Sequence, residues 1–263
     1  MKKKTRCDIT DQDEIFLLFL KKNKYCDEIA ARIIYQKSEQ TFWRRIRKLE
    51  KYKYIRKVLM SIDSSGFTGE HKRVFVFGLD TKGCSHCETV KTNIEISSNG
   101  IQLRHKLYIK RLAACLENLS IYNGFSYNSE FILNEFKENE GIFISDQNIN
   151  KYAIRPDIYI QEYKICFEVE LSIKHDNQTY GQKLFSMQYL KNINKVIWLV
   201  ENQKSKDKLL SHILLWDDSS KLFQYDQSLN KKMIFTDTIN KNIIHIFDDF
   251  ISDYQKYFEI ILK

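Results

Sequence analysis

The sequence contains no long apolar run and almost no proline. No stretch of about 18 apolar residues occurs, and no apolar segment follows the basic start Met-Lys-Lys-Lys, so we expect neither a membrane span nor an export signal. A cytoplasmic location is then the expectation. We attribute the low proline and glycine content, one and eight residues, to the composition of an AT-rich bacterial genome. We find no internal repeat and no low-complexity tract, which favours folded domains.

The six cysteines are scattered along the chain, so we expect free thiols and no disulfide framework. One cluster stands out, Cys84-Ser85-His86-Cys87. A structural zinc site needs four ligands, and no second pair of ligands follows at zinc-finger spacing. Chance spacing is therefore favoured, with a metal site as the alternative.

Positive charge and aromatic side chains are abundant. Lys and Arg number 42 against 34 Asp and Glu, and the calculated pI is about 9.0. This balance favours a nucleic-acid partner over the ligand of an acidic site. With 43% hydrophobic residues, including 17 Phe and 15 Tyr, the chain can fill the cores of two modest domains.

Three short helices are predicted near the start of the chain. Residues 11 to 22 form the first, with an acidic first turn, and residues 25 to 35 form the second. Ser38 opens the third. The inner face of this third helix carries apolar residues at helical spacing, namely Phe42, Ile46 and Leu49.

A β-hairpin is predicted after these helices. The segments Ile55 to Ile62 and Lys72 to Phe77 are rich in β-forming residues and flank the turn-rich tip Ser64 to Gly69. Three helices followed by a hairpin are typical of a winged helix-turn-helix, which we place at residues 1 to 80.

Basic residues crowd the third helix and the wing. The candidate DNA-binding residues are Arg44, Arg45, Arg47, Lys48, Lys51, Lys72 and Arg73. A helix in the major groove needs cations for phosphates and planar donors for guanine edges, and arginine supplies both. The alternative is a solvated basic face with no ligand. The helix-turn-helix context favours binding of double-stranded DNA.

A second domain of α/β order is predicted at residues 101 to 263, after a polar linker at 81 to 100. Its expected elements are a helix at 102 to 120, a strand pair at 154 to 172, a helix at 180 to 191, a strand at 196 to 200 and a helix within 239 to 262.

The predicted strand pair carries three acidic residues, Asp157, Glu168 and Glu170. Glu168 and Glu170 face the same side of their strand because side chains alternate, and carboxylates in an apolar strand are costly unless a cation pairs with them. Mg²⁺ or Mn²⁺ suits such oxygen ligands. The alternative is a half-exposed hairpin whose acidic face pairs with Lys164 or Lys174.

Arg155-Pro156-Asp157 with Glu168-Val169-Glu170 resembles the core motif of PD-(D/E)xK nucleases. The resemblance implies a restriction-endonuclease-like domain, with a mixed central sheet flanked by helices, in which Asp157 and Glu168 bind the metal. Glu170 stands where that family usually has a lysine that assists the attack. Joined to a preceding winged helix, the motif is similar to the replication-relaxation proteins and the MOBC-type relaxases of mobilisable plasmids.

The same resemblance implies further site residues. Beside Asp157, Glu168 and Glu170, the candidate catalytic residues are His105, Lys174 and Lys183. For His105, a hydrogen-bonded core histidine is slightly favoured over a catalytic role. Lysines are common in this chain, but either Lys174 or Lys183 could hold the scissile phosphate or balance the carboxylate cluster. Glu130 or Glu135 and Tyr189 also fit the family pattern. Tyr180 and Tyr189 are both conceivable nucleophiles, and the sequence does not choose between them.

The implied function is metal-dependent nicking of DNA at a plasmid origin of transfer, with Mg²⁺ or Mn²⁺ as cofactor and accessory relaxosome or coupling proteins as partners. The runner-up is a non-enzymatic DNA-binding regulator of plasmid replication or transcription, whose second domain keeps only the nuclease shape. A third hypothesis is a restriction-type nuclease that cuts both strands.

Overall fold

The computed structural model divides the chain into two compact units, residues 1–124 and residues 125–263. Both units combine helices with strands, so the chain is an α+β protein. The residues that the structure describes are 7–63, 71–91, 100–127, 156–173, 193–217, 223–224, 232–233 and 242–262.

Three short helices open the first unit. They are α1 (Asp11–Asn23), α2 (Glu28–Tyr35) and α3 (Glu39–Lys51). Thr10 and Asp13 form a capping box at the start of α1, and the Asp27 side chain accepts the Ala30 amide at the start of α2. The predicted first and third helices are confirmed.

An antiparallel sheet of order β1-β3-β2 accompanies these helices. Its strands are β1 (Tyr25–Asp27), β2 (Ile55–Asp63) and β3 (His71–Leu79). β2 and β3 form the predicted hairpin. The prediction that the second helix starts at residue 25 is wrong, because residues 25–27 pair with β3 and the Asp27 cap fixes the helix start at Glu28.

The two faces of the hairpin contact different helices. On one face, Met60 and Val76 form a buried cluster with Leu103 and Leu107 of α5 (Gly100–Asn123). On the other face, the Phe75 ring lies 6.0 Å from the Trp43 ring of α3, measured between centroids. Thus α3 and α5 lie on opposite faces of the hairpin.

The segment predicted as a linker contains a helix, α4 (Thr81–His86), which directly follows β3. The Lys82 amide donates to the Lys53 carbonyl over 2.9 Å. A Cβ atom added at Gly83 would lie 2.0 Å from the Tyr54 carbonyl oxygen, so only glycine permits this contact. The prediction of an irregular segment starting at residue 81 is therefore wrong.

Helix α5 belongs to the first unit, although we predicted that it opens the second. The Arg111 guanidinium donates to the Asp27 carboxylate over 2.7 and 2.8 Å, and both side chains are buried. The Asn118 amide donates to the Ile33 carbonyl over 2.8 Å. These contacts fix α5 along α2, and the boundary between the units lies after Gly124.

The second unit contains a mixed sheet of order β4-β5-β6-β9. Its strands are β4 (Ile158–Ile160), β5 (Ile165–Glu170), β6 (Lys195–Val200) and β9 (Asn242–Ile246). β4 is antiparallel to β5, whereas β5, β6 and β9 run parallel. The short strands β7 (Phe223–Gln224) and β8 (Lys232–Met233) pair with each other. The predicted strand pair and the strand at 196 to 200 are confirmed.

Three described helices accompany this sheet, namely α6 (Gln203–Asp217), α7 (Phe247–Ser252) and α8 (Tyr254–Leu262). The prediction of a single C-terminal helix is wrong at its start, because residues 242–246 pair with β6 as β9. The helix predicted at 180 to 191 lies outside the described residues. In the described ranges, no helix has both the length and the apolar character needed to cross a membrane.

Candidate nucleic-acid interface and acidic site

Helix α3 presents a basic face to solvent. Phe42, Ile46 and Leu49 point inward and are fully buried. Arg44, Arg47 and Lys51 are exposed, and their spacing of three and four residues places them on one side of the helix. Lys48 is half-buried beside them.

Arg45 differs from the prediction, because its side chain is held inside the fold. Its guanidinium forms an ion pair with Asp13, a fully buried residue of α1, and also donates to the Asp8 carbonyl. Tyr35 donates to the same carboxylate over 2.8 Å. Arg45 therefore joins α1 and α3 and is withdrawn from the DNA-binding set.

The Asp13 carboxylate is stabilised in its charged form by this network. Burial alone would raise the pKa of Asp13, but hydrogen bonds from Arg45, Thr10 and Tyr35 outweigh it and lower the pKa. Burial, reinforced by the neighbouring Asp13, raises the pKa of the Tyr35 hydroxyl, which therefore remains a donor.

The hairpin carries the other predicted DNA ligands. Arg73 on β3 is exposed, whereas Lys72 lies on β3 with its side chain outside the described atoms. Between the hairpin and α3, the Lys57 ammonium lies 4.8 Å from the Phe75 ring centroid and 3.6 Å from a Glu50 oxygen. Lys57 therefore lies beside the half-buried aromatic pair Trp43 and Phe75.

In the second unit, strand pairing brings Asp157 next to Glu168. Ile158 is opposite Phe167, so Asp157 occupies the position beside Glu168 on the neighbouring strand. An Asp157 oxygen accepts the Val169 amide over 2.7 Å, which fixes this carboxylate against β5. Glu168 is only 3% exposed, while Glu170 is half-buried two residues further along the same strand face.

The three acids lie at one edge of the sheet. β5 and β6 run parallel and end at Glu170 and Val200. Asp157 precedes the antiparallel strand β4 and therefore lies at that same edge. Ligands of α/β proteins commonly bind outside the carboxyl ends of parallel strands.

The donor chemistry of this edge fits a hard divalent cation. Carboxylate oxygens are the ligands that Mg²⁺ and Mn²⁺ prefer, and Asp157 and Glu168 would be the first pair to supply them. In the described part of the chain, no three His, Cys, Asp or Glu side chains are grouped closely enough to hold a metal ion. Asp157, Glu168 and Glu170 therefore do not form a three-ligand group in this structure, and a site built on Asp157 and Glu168 would need solvent, or a shift of the Glu170 side chain, to complete it.

None of the other predicted catalytic residues belongs to the described part of the second unit. His105 lies on α5, in the first unit, and is half-buried. Lys174, Lys183, Glu130, Glu135, Tyr180 and Tyr189 lie outside the described residues.

The Cys84-Ser85-His86-Cys87 cluster lies on and just after α4. Both thiols are buried, and burial raises the pKa of each. The His86 Nε2 atom lies 2.5 Å from a Glu14 carboxylate oxygen, so this ring joins α4 to α1.

Sequence reasoning missed the structural residues that support this surface. Arg45 could have been recognised, because it lies three residues after Phe42 and four before Leu49, on the edge of the apolar face. No local signal pointed to α4 beside the end of α3.

Comparison with known proteins finds no matching family model, no matching curated protein and no matching solved structure.

Proposed function

We propose that the first unit binds double-stranded DNA as a winged helix-turn-helix, with α3 in the major groove and the β2–β3 hairpin as the wing. The observation that carries this proposal is the exposed basic face formed by Arg44, Arg47 and Lys51. Its arginines supply charge for phosphates and paired donors for base edges. Arg45 supports the interface indirectly by fixing α3 to α1.

The competing interpretation is a basic face that contacts only water. Against it, the neighbouring hairpin extends the positive surface with Arg73, and the whole chain has a net charge of +8. A helix face and a wing with the same sign of charge form the pattern that a DNA duplex would neutralise.

Fluorescence anisotropy with a labelled duplex tests this proposal, with Kd measured over a range of salt concentrations. The Arg44→Ala, Arg47→Ala double variant should bind more weakly. The magnitude of its slope of log K against log salt should be smaller by about one for each phosphate that is no longer neutralised. The matched control is Lys21→Ala, Lys106→Ala, which removes the same charge from exposed positions on α1 and α5. Equal weakening by both double variants would contradict a specific role of α3.

The second candidate function is metal-dependent nicking of the bound DNA by a PD-(D/E)xK-like second unit. It is favoured by the pairing of Asp157 with the strand that carries the buried Glu168. A bound Mg²⁺ or Mn²⁺ would polarise a phosphodiester and lower the pKa of the attacking water or hydroxyl. Asp157 and Glu168 would hold the ion, and Glu170 would ligate it or orient water.

Within this proposal the DNA is a plasmid origin of transfer. The protein would then be a relaxase or relaxosome component in conjugative mobilisation, and accessory or coupling proteins would be its partners. A lysine, Lys174 or Lys183, would contact the scissile phosphate. A regulator of plasmid replication or transcription, with no nuclease activity, is the alternative assignment for the same DNA-binding unit.

A nicking assay on supercoiled DNA that carries the plasmid's own presumed origin distinguishes these assignments. Mg²⁺ or Mn²⁺, but not EDTA, should convert it to the open circle, and a linear product would indicate a restriction-type enzyme. The Asp157→Asn, Glu168→Gln variant keeps the side-chain shapes and should abolish nicking and Mn²⁺ binding by calorimetry. The control Asp253→Asn, Glu259→Gln changes two exposed acids. Metal-independent binding that leaves the DNA supercoiled would favour the regulator.

A further inference from the structure

A group of exposed lysines lies at and beyond the C-terminal end of α3. Lys51 is the last residue of α3, Lys53 follows it, and Lys82 lies on α4. The hydrogen bond from the Lys82 amide to the Lys53 carbonyl places these two backbones side by side. All three side chains are exposed. We refer to Lys51, Lys53 and Lys82 as the terminal lysine cluster.

The backbone under this cluster is well fixed. Lys53 adopts a left-handed conformation with φ of 61°, and its amide donates to the Glu50 carbonyl over 2.9 Å, which closes the turn after α3. Gly83 packs directly on the Tyr54 carbonyl. The Lys82 ammonium lies 5.9 Å from the ring centroid of Tyr52, the C-cap residue of α3, so this side chain lies close to the end of that helix.

The acids near the cluster are paired with other lysines. Glu50 lies 3.6 Å from the Lys57 ammonium, and Asp80 lies 2.9 Å from that of Lys91. The hydrogen bond from Lys91 is the largest cause of the lowered pKa of Asp80, and the charge of Lys53 contributes to it, so Asp80 also offsets part of the Lys53 charge. The positive charge of Lys51, Lys53 and Lys82 is therefore only partly offset locally.

The length of α3 indicates where this cluster would lie if the helix entered the major groove of a duplex. A helix of 13 residues is about 20 Å long, and the major groove is about 12 Å wide. When residues early in such a helix contact base edges, its C-terminal end reaches the strand that borders the groove. We propose that the terminal lysine cluster binds the DNA phosphates on that strand, which makes α4 part of the interface. This inference rests on the proposed DNA binding.

The test is duplex binding by the full chain, measured by anisotropy over a range of salt concentrations. In the Lys53→Ala, Lys82→Ala variant, the magnitude of the slope of log K against log salt should be smaller by about two. The loss of affinity should be the same for unrelated DNA sequences, because phosphate contacts do not distinguish bases. Lys53→Arg, Lys82→Arg should retain the wild-type slope. The control Lys21→Ala, Lys106→Ala removes equal charge from exposed positions on α1 and α5, outside α3 and α4.

Two results would overturn the inference. If Lys53→Ala, Lys82→Ala matches the Lys21→Ala, Lys106→Ala control while Arg44→Ala, Arg47→Ala weakens binding, the terminal lysine cluster is not a phosphate site, although α3 still binds DNA. If none of these variants weakens binding, the proposed function fails together with the inference.

Discussion

At the scale of single residues, neighbouring arginines on α3 have different environments. Arg44 and Arg47 are exposed, whereas Arg45 contacts the buried Asp13. Sequence placed all three on one basic face, because residue type does not reveal a charged partner 32 positions away. Helical spacing could have indicated the buried role of Arg45, since this residue lies beside the apolar face formed by Phe42, Ile46 and Leu49.

Arg45→Met should destabilise the first unit by about 3 kcal/mol, because the Asp13 carboxylate is left buried without its cation. Arg44→Met should change the free energy of unfolding by less than about 0.5 kcal/mol, since this side chain is exposed. Urea denaturation of both variants provides the comparison. If both variants change the free energy of unfolding by the same amount, the Asp13–Arg45 ion pair does not stabilise the first unit more than an exposed arginine does.

The same pair predicts a pH dependence. Because folding lowers the pKa of Asp13 from its ordinary value of 3.8, its stabilising contribution is present above pH 3.8 and is lost as the pH falls through the folded-state pKa. The stability difference between wild type and Arg45→Met should therefore be largest near neutrality and narrow below pH 3.8. A gap that stays constant down to acidic pH would contradict this.

At the scale of elements, periodicity predicted α1, α3 and the β2–β3 hairpin but missed β1 and β9. β1 has only three residues, and its partner β3 lies about fifty positions later, so no local pattern marks it. In β9, Ile243 continues the spacing of Phe247 and Phe250, which favoured one long helix. Pairing of β9 with β6 overrides that local pattern.

Helix α4 offers the clearest test at this scale. Gly83→Ala places a methyl group 2.0 Å from the Tyr54 carbonyl oxygen, so α4 must move, at a cost of about 1 to 3 kcal/mol. Cys84 and Cys87 are buried, and all six cysteines are free. Displacement of α4 should therefore make these two thiols react faster with a disulfide reagent such as DTNB.

Gly124→Ala is the matched control for that experiment. Gly124 has a φ of 68° but no heavy atom within 4 Å of an added Cβ, so alanine there introduces backbone strain without a clash. The thiols of Cys84 and Cys87 should react as slowly in this variant as in the wild type. Slow reaction in Gly83→Ala as well would mean that α4 tolerates the added methyl group.

At the scale of the whole molecule, sequence predicted two domains but placed their boundary too early. The polar composition of residues 81 to 100 suggested a linker, whereas the contacts that assign α5 to the first unit are long-range. The ion pair of Asp27 with Arg111 spans 84 positions. The strand pair that carries Asp157 and Glu168 was predicted from strand-forming residues, whereas the mixed sheet was implied only by the resemblance to a nuclease motif. Metal binding needs contacts that the sequence does not define.

A fragment of residues 1–124 should fold cooperatively and bind duplex DNA with the salt slope of the full chain. A fragment of residues 1–99 should not fold stably, because it exposes Met60 and Val76 and leaves Asp27 without Arg111. Loss of that cation alone should cost about 3 to 5 kcal/mol, a large part of the stability of a small domain. Circular dichroism during thermal unfolding distinguishes the two fragments. If residues 1–99 unfold cooperatively at the temperature of residues 1–124, then α5 is not part of the first folding unit.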